Sequence, residues 1–525
     1  MTKKKAFNVT GPCIPALHYM VDTRKKIDEI VTKYVDAGEY FTMNRARQYG
    51  KTTTLVALER SLKGPYVPIS ISFEGFGSSV FQTEQSFIAT FISACAESMA
   101  YVCADEGLIS DWKQIPDQLN FPTLSAKITR LAKMAGKKTV LMIDEVDKSS
   151  NNPLFLDFLG MLRDKYINRN SRNTPTFHSV ILAGVHDIKN LKMKLRPEEK
   201  HSYNSPWNIA ARFDVDMSFS APEIATMLEE YEQEHLTGMD AAKVSERIYY
   251  YTSGYPFLVS LLCKTMDDDK LGWTDEGVMG AVKSTLYHSR DISLFQDIQK
   301  NIEKHEEFKA MLVQILVEGI PVSYNGLNPA TDLGIIYGVF TPCDGKVMIS
   351  NKVFETFIYN YLISVASSRP LIEEYAARTK YIVDGQLDMS LVLNRFAAFM
   401  KSEYRDEDGE FIEREGRLLF LSFLKPIING TGHYVVEPET RGSRRMDVVV
   451  FYGGEEHIVE LKIWHGEQAA SEAYDQLTGY LHMQEQQTGY LLSFCDNRKS
   501  PREGRTFTHN GCQITEVIVA YRDKE

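Results

Sequence analysis

Short apolar runs alternate with stretches of helical period through the N-terminal part of the chain. Tyr40-Phe41-Thr42-Met43, VPISISF (67–73), TVLMI (139–143) and SVILAGV (179–185) are β-rich and almost free of charge, the pattern of strands covered on both faces. Between them Thr53–Leu62, Glu84–Ala100 and Pro122–Met134 read as helices. Strands alternating with helices predict a parallel sheet with right-handed crossovers. Beyond it, DVDMSFSAPEIATMLEEYEQ (214–233) ends a strand-like segment at Ser220, an N-cap with Glu223 at capping-box spacing. A helical region then runs to about residue 290, broken at Gly254-Tyr255-Pro256. Residues 306–363 give helices, two short strands about Cys343-Asp344-Gly345 and a closing helix rich in Phe and Tyr, the order of a winged helix. After the acidic stretch 403–411, a plausible linker edge, a new α/β unit begins. It reads as an amphipathic helix (FIEREGRLLFLSFLKPII), three strands ending in HIVELKIW, a helix (SEAYDQLTGYLHMQEQ) and a fourth strand (TGYLLSFCD).

Length and composition narrow the class. At 525 residues the chain exceeds what one core supports and predicts three or more domains. Hydrophobic residues make up 43% and charged residues 25%, an ordinary globular balance. The seven cysteines form no C-x-x-C pair, which argues against a disulfide framework or zinc ribbon and for a reducing compartment. The opening MTKKKAFNVTGPC has basic residues without an apolar core after them, and no stretch approaches membrane-spanning length. A cytoplasmic protein without a membrane partner is expected. The net charge of -11 gives no overall pull toward nucleic acid, so such a partner needs a local basic patch.

Candidate chemistry stands at the strand ends. Gly50-Lys51-Thr52 follows a predicted strand and opens a predicted helix, the context of a phosphate-binding loop. Lys51 would reach the β- and γ-phosphates, and Thr52 would offer its hydroxyl to Mg²⁺. The usual first glycine of such a loop is here Arg45. TVLMIDEVD ends in Asp144, suited to hold Mg²⁺ through water, and Glu145, suited to polarise an attacking water. The alternative is a strand ending in a solvated acidic turn. His186 and Asp187 are candidates to sense a γ-phosphate, or a plain polar loop. Arg212 is either a phosphate-sensing arginine or a surface one.

In the C-terminal unit, Asp447 and Glu460 can lie on neighbouring strands, and Glu460 and Lys462 share a face. Two carboxylates can hold Mg²⁺, and the ammonium can orient water or stabilise a pentavalent phosphate. An outward-facing edge strand is the structural alternative. Arg441, Arg444 and Arg445 form a basic cluster beside these acids.

YMVDTRKKIDEIVTKYVDAGEYFTMNRARQYGKTTTL resembles the opening of the bacterial AAA-ATPase-like family, whose loop typically reads Arg-Pro-Arg-Arg-Phe-Gly-Lys-Ser. Arg45, Ala46, Arg47, Gln48, Tyr49, Gly50, Lys51 and Thr52 match it, with Ala46 departing from Pro and Gln48 from the second Arg. In that family the missing first glycine is a common trait. Arg47, Gln48, Tyr49, Gly50, Lys51, Thr52, Thr53 and Asp144 are then expected to bind nucleotide, with Glu145 catalytic. Arg45 and Arg47 either add charge beside the phosphates or are ordinary surface charges. The Gly-x-Pro turn is similar to that in the lid of STAND-like ATPases. The C-terminal unit resembles the PD-(D/E)XK nuclease superfamily domain paired with this family. Asp447, Glu460 and Lys462 match its motif. The preceding helix would supply Glu415, or Glu413, and the following helix Gln476 with Tyr480.

The resemblance implies a P-loop NTPase parallel sheet (1–215), a helical lid (216–300), a winged-helix-like region (301–370), a helical linker (371–410) and a PD-(D/E)XK nuclease-like α/β domain (411–525). It implies ATP and Mg²⁺ as cofactors and nucleic acid, most readily DNA, as partner; a homo-oligomer is compatible with it, and the sequence leaves the oligomeric state open. Two functions stay open: an ATPase coupled to a Mg-dependent nuclease, or a STAND-like signalling ATPase whose nuclease-like domain binds without cutting.

Overall fold

A computed structural model of the chain describes residues 5–103, 105–149, 152–185, 206–316, 321–366, 381–383, 386–403, 413–428, 432–435, 448–464, 466–484, 486–496 and 503–522. They form two compact units, Met1–Val282 with Ile335–Gly338, and Lys283–Gly334 with Val339–Glu525.

The first unit is built on β1 (Tyr40–Asn44), β2 (Tyr66–Ser72), β3 (Lys138–Asp144) and β4 (Ser179–Gly184). They pair in parallel in the order β1-β4-β3-β2, so β1 and β3, distant in sequence, flank β4. The strands are apolar along their length because helices cover both faces. On one face Leu55, Leu58 and Leu62 of the helix Lys51–Leu62 pack on Phe41, Met43, Val140 and Met142. On the other, Phe87, Phe91 and Phe158 pack on Ile69, Leu141 and Ile143. The first helix turns are fixed by side chains: Asn120 and Thr123 cap each other's backbone in one helix, and Ser220 and Glu223 do so in Ala221–His235, as the sequence predicts. Helices Ala221–His235, Ala241–Thr252 and Pro256–Asp268 follow the sheet. The break between the last two falls at Gly254, where φ is +71° and an added Cβ would lie 1.8 Å from Phe219 O. Only glycine fits there.

In the second unit, β5 (Val322–Ser323), β6 (Phe340–Cys343) and β7 (Lys346–Ile349) make a small sheet in the order β5-β7-β6, turning through Asp344 and Gly345 at positive φ. The two short strands about Cys343-Asp344-Gly345 and the helix after them, Lys352–Ala366, fall where the sequence reads them. After a hairpin of β8 (Ile382–Val383) and β9 (Gln386–Leu387), a larger sheet holds β10 (His433–Val435), β11 (Val448–Tyr452), β12 (Glu455–Ile463), β13 (Thr488–Asp496), β14 (Arg505–His509) and β15 (Cys512–Arg522). Its order is β10-β11-β12-β13-β15-β14, with β12, β13 and β15 parallel.

The helix Glu467–Met483 packs Tyr474, Leu477 and Leu481 on Val449, Ile458, Leu491 and Ile514 of one face. Phe494, one step from Ser493 and so on the other face, meets Phe396, which touches Phe420 and Phe423. Phe396 belongs to the helix Met389–Glu403, which the sequence places in a linker; its rings make it part of this core. β14 and β15 extend the sheet beyond the strands read from sequence. Among the described residues no helix is long and apolar enough to cross a membrane.

Candidate functional site

The carboxyl edge of the parallel sheet gathers the predicted loop and acids. β1 ends at Asn44, and the loop to Gly50 delivers the chain into the helix Lys51–Leu62. Gln48 (φ +56°) and Gly50 (φ +79°) take left-handed backbone; Arg45 is not among the positive-φ residues, so the position where such loops usually have their first glycine needs none. Lys51 is buried, and its Nζ donates to Arg45 O and Ala46 O at 2.9 Å each. Burial pulls its pKa down, opposed by the charges of Glu145, Asp147 and Asp144. Thr52 Oγ1 donates to Asp144 Oδ2 at 2.6 Å. A hydroxyl and a carboxylate this close are the hard oxygen donors that Mg²⁺ takes in part, keeping water for the rest. Glu145 sits at φ +54°, and its backbone N–H donates to Asp144 Oδ1 at 2.9 Å. Its pKa is raised, first by burial, then by Asp144.

Gln48, Gly50, Lys51, Thr52 and Glu145 line one cleft of about 570 Å³, within the size range of small-ligand sites. Gln48, Tyr49, Gly50, Lys51, Thr52, Thr53 and Glu145 form its polar end. Ile27, Ile30, Met217, Phe219, Met227 and Phe257 form an apolar end. Glu145, Asp147 and Asp144 all act on Lys51, a field suited to a divalent cation arriving with a polyphosphate.

Four features of this cleft are not anticipated from sequence. Glu74, two residues beyond β2, lines it with Glu145. Asp147 accepts the N–H of Val185 just past β4, and an added Cβ on Gly184 would lie 2.8 Å from its Oδ1, so glycine lets the carboxylate dock there. The segment Asn8–Cys13 walls the cleft and donates Cys13 N–H to Thr53 Oγ1 at 3.1 Å. Tyr255 Oη donates to Arg47 O at 2.5 Å, and its ring stands edge-on to Tyr49 at 4.7 Å, so the Gly254-Tyr255-Pro256 turn docks directly on the loop.

The arginines divide. Arg45 donates to Val215 O at 2.8 Å and lies over the Phe213 ring at 5.1 Å, so it ties the loop to the adjacent segment. Arg47 is exposed and engages Tyr255 through its carbonyl, outside the cleft lining. Arg212 is exposed on the outward side of a segment whose Val215 and Met217 face the cleft. His186 and Asp187 lie outside the described residues.

In the second unit Glu460 is 0% exposed on β12, and Lys462 Nζ stands 3.2 Å from its Oε1. The pair shares the face of Ile458, under the helix Glu467–Met483. Gln476 is half-buried on that helix and Tyr480 is buried. Asp447, Arg441, Arg444 and Arg445 lie outside the described residues; Val448, which follows Asp447, pairs with Val459. Glu413 and Glu415 fall in the helix Glu413–Ile428, but their side chains lie outside the description.

A second buried carboxylate, Glu516 on β15, was not anticipated. It accepts from Tyr474 Oη and Ser493 Oγ at 2.8 Å each, with Arg505 Nε at 3.7 Å. Ser493 is the register partner of Lys462 on the neighbouring strand. Among the described residues no three metal-ligating side chains cluster.

No protein-family model matches the chain, and no curated protein is similar to it in sequence. Among solved structures, the chain is similar to a Walker-type ATPase of Pyrococcus abyssi, with 12% identity over 67% of this chain and 99% of that one, at a TM-score of 0.46. It is also similar to the ORC2 protein of Aeropyrum pernix in its ADPNP-ADP complexes, with 11% identity over 68% and 98% at 0.35. Cdc6p of Pyrobaculum aerophilum matches with 12% identity over 67% and 98% at 0.33.

Proposed function

We propose that the chain binds and hydrolyses ATP with Mg²⁺ at the loop Arg47–Thr53, and that its nucleotide state governs a Mg-dependent nuclease unit acting on nucleic acid, most readily DNA. The observation that carries the ATP site is the 2.6 Å contact of Thr52 Oγ1 with Asp144 Oδ2, between residues 92 apart in sequence. Nothing in a merely solvated acidic turn requires that hydroxyl to meet that carboxylate. Lys51, Thr52 and the backbone N–H groups that open the helix would hold the phosphates. Asp144 with Thr52 would hold the cation, which when bound neutralises charge developing on the phosphoryl oxygens. Glu145 would orient the attacking water; its raised pKa keeps it a better base than an ordinary carboxylate at the cost of needing higher pH to ionise. Core (1–215), lid (216–300), winged-helix-like region (301–370), linker (371–410), whose helix Met389–Glu403 packs on the sheet that follows, and nuclease-like domain (411–525) are the divisions proposed, in a homo-oligomer.

Support for the nuclease unit is the buried Glu460 beside Lys462 on one sheet face, where a desolvated charge pair has no structural necessity. Asp447 and Glu415, with Gln476, are proposed to complete the set. The same contact favours a second reading: a carboxylate already neutralised by lysine needs no metal, as in a nucleotide switch whose sheet binds without cutting.

Cleavage of plasmid and single-stranded DNA with Mg²⁺ or Mn²⁺, with and without ATP, separates the two. Loss of cutting in Asp447→Ala and Lys462→Ala, with ATP dependence that needs Lys51, supports the nuclease. A wild-type chain that hydrolyses ATP and never cuts supports the switch.

A further inference from the structure

We propose that the opposite edge of the first unit's sheet carries a separate anion site, which takes the phosphates of a nucleic acid strand. Lys138 opens β3 and Asp144 closes it; at about 3.3 Å per residue the two edges stand about 20 Å apart. The amino edge holds a cavity of about 630 Å³ lined by Lys133, Lys137, Lys138 and Arg169. No carboxylate lines it among the described residues. Four cations without an acid form a concentrated positive field in a chain whose net charge is -11.

The walls fit phosphate better than a flat carboxylate. Asn170, Asn173 and Thr174 add amide and hydroxyl donors to the cations of the lining, the neutral partners a tetrahedral oxyanion can use. Arg169 is pre-set: its Nη1 donates to Gly38 O at 2.6 Å and His178 O at 3.1 Å, and its guanidinium stacks 4.1 Å from the Tyr166 ring. Little side-chain entropy is left for it to lose on binding. The field is felt within the fold. The His178 imidazole is held below its ordinary pKa, first by burial and then in part by Lys138 and Arg169. The nearby carboxylate Glu39 is engaged by Tyr166 Oη at 3.2 Å. Lys133, Lys137 and Lys138 are exposed, so a strand can reach them. This site does not depend on hydrolysis at Lys51 or on cutting by the second unit.

Fluorescence anisotropy of the full chain with a labelled single-stranded oligonucleotide, across a salt series, tests it. Lys133→Gln/Lys138→Gln is expected to weaken binding by about tenfold and to flatten the slope of log affinity against log salt by about 1.4, two contacts' worth for a single strand. Binding of fluorescent ATP is expected to stay unchanged, which separates this site from the one at Lys51. Lys133→Arg/Lys138→Arg should restore the wild-type slope. Pyrophosphate that displaces the oligonucleotide at matching phosphate concentration would overturn the strand as the ligand in favour of free polyphosphate; displacement only at far higher concentration would support the strand. Unchanged affinity and slope in the Gln variant would overturn the proposal. So would loss confined to anionic lipid vesicles with the oligonucleotide unaffected.

Discussion

Thr52 Oγ1 and Asp144 Oδ2 meet at 2.6 Å at the carboxyl edge of a parallel sheet. Thr52→Val keeps the side chain's shape and removes the hydroxyl. The Mg²⁺ concentration for half-maximal ATP hydrolysis is expected to rise by about tenfold, the effect of one lost charge-assisted oxygen contact. Tm should fall by no more than a few degrees, the scale of one hydrogen bond lost from an exposed side chain. A steady-state rate series over Mg²⁺ concentration checks this; an unchanged midpoint would separate the hydroxyl from the cation.

Tyr255 joins the Gly254-Tyr255-Pro256 turn to the loop through its bond to Arg47 O. Tyr255→Phe is expected to cost about 1 kcal/mol, a typical net hydrogen bond, and to lower Tm by a few degrees. Gly254→Ala should cost more than Tyr255→Phe, since its Cβ would collide with Phe219 O at a backbone angle that alanine avoids. Scanning calorimetry of both variants gives the order directly.

Lys165 is buried and donates to Ser125 O and Thr129 Oγ1 at 2.8 and 2.7 Å. Burial lowers its pKa to about 8, while the unfolded chain holds it near the ordinary value of about 10.4. Between those values the unfolded state binds more protons, so stability rises with pH. From pH 7.5 to 9.5 the wild type should gain about 2 kcal/mol relative to Lys165→Met, read from urea unfolding. Parallel pH dependences in the two proteins would contradict this.

Glu460 and Lys462 give a double-mutant cycle. Lys462→Met leaves a fully buried carboxylate without its lysine and is expected to cost about 3 kcal/mol, the low end for buried pairs, because Lys462 is partly exposed. Adding Glu460→Gln should recover part of that loss. Additive losses would mean the two side chains act independently.

Much of this was legible in the sequence, for stated physical reasons. Uniformly apolar strands announce a sheet covered on both faces, and Ser220 with Glu223 spells a helix start. Lys51, Thr52, Asp144 and Glu145 are readable because strand ends must present them at one edge. What escaped depends on contacts between segments far apart. Nothing local marks Asn8–Cys13 as a wall of the cleft, or Asp147 as the acceptor for Val185 N–H. Glu516 looks like a surface acid in an alternating strand until Tyr474 and Ser493 are brought to it. One omission was avoidable. Asn510-Gly511 between RTFTH and CQITEVIVAYR is a strong hairpin signal, and both residues take positive φ there.

The most direct test of the ATP site is single-turnover and steady-state ATP hydrolysis by the wild type, Lys51→Ala and Glu145→Gln, with nucleotide binding measured alongside. Wild type is expected to bind and turn over ATP. Glu145→Gln should still bind but turn over about 10²–10⁴-fold more slowly, as for loss of a general base. Lys51→Ala should lose binding and turnover together. A wild-type chain that binds no ATP, or a Glu145→Gln protein as fast as wild type, would contradict the assignment.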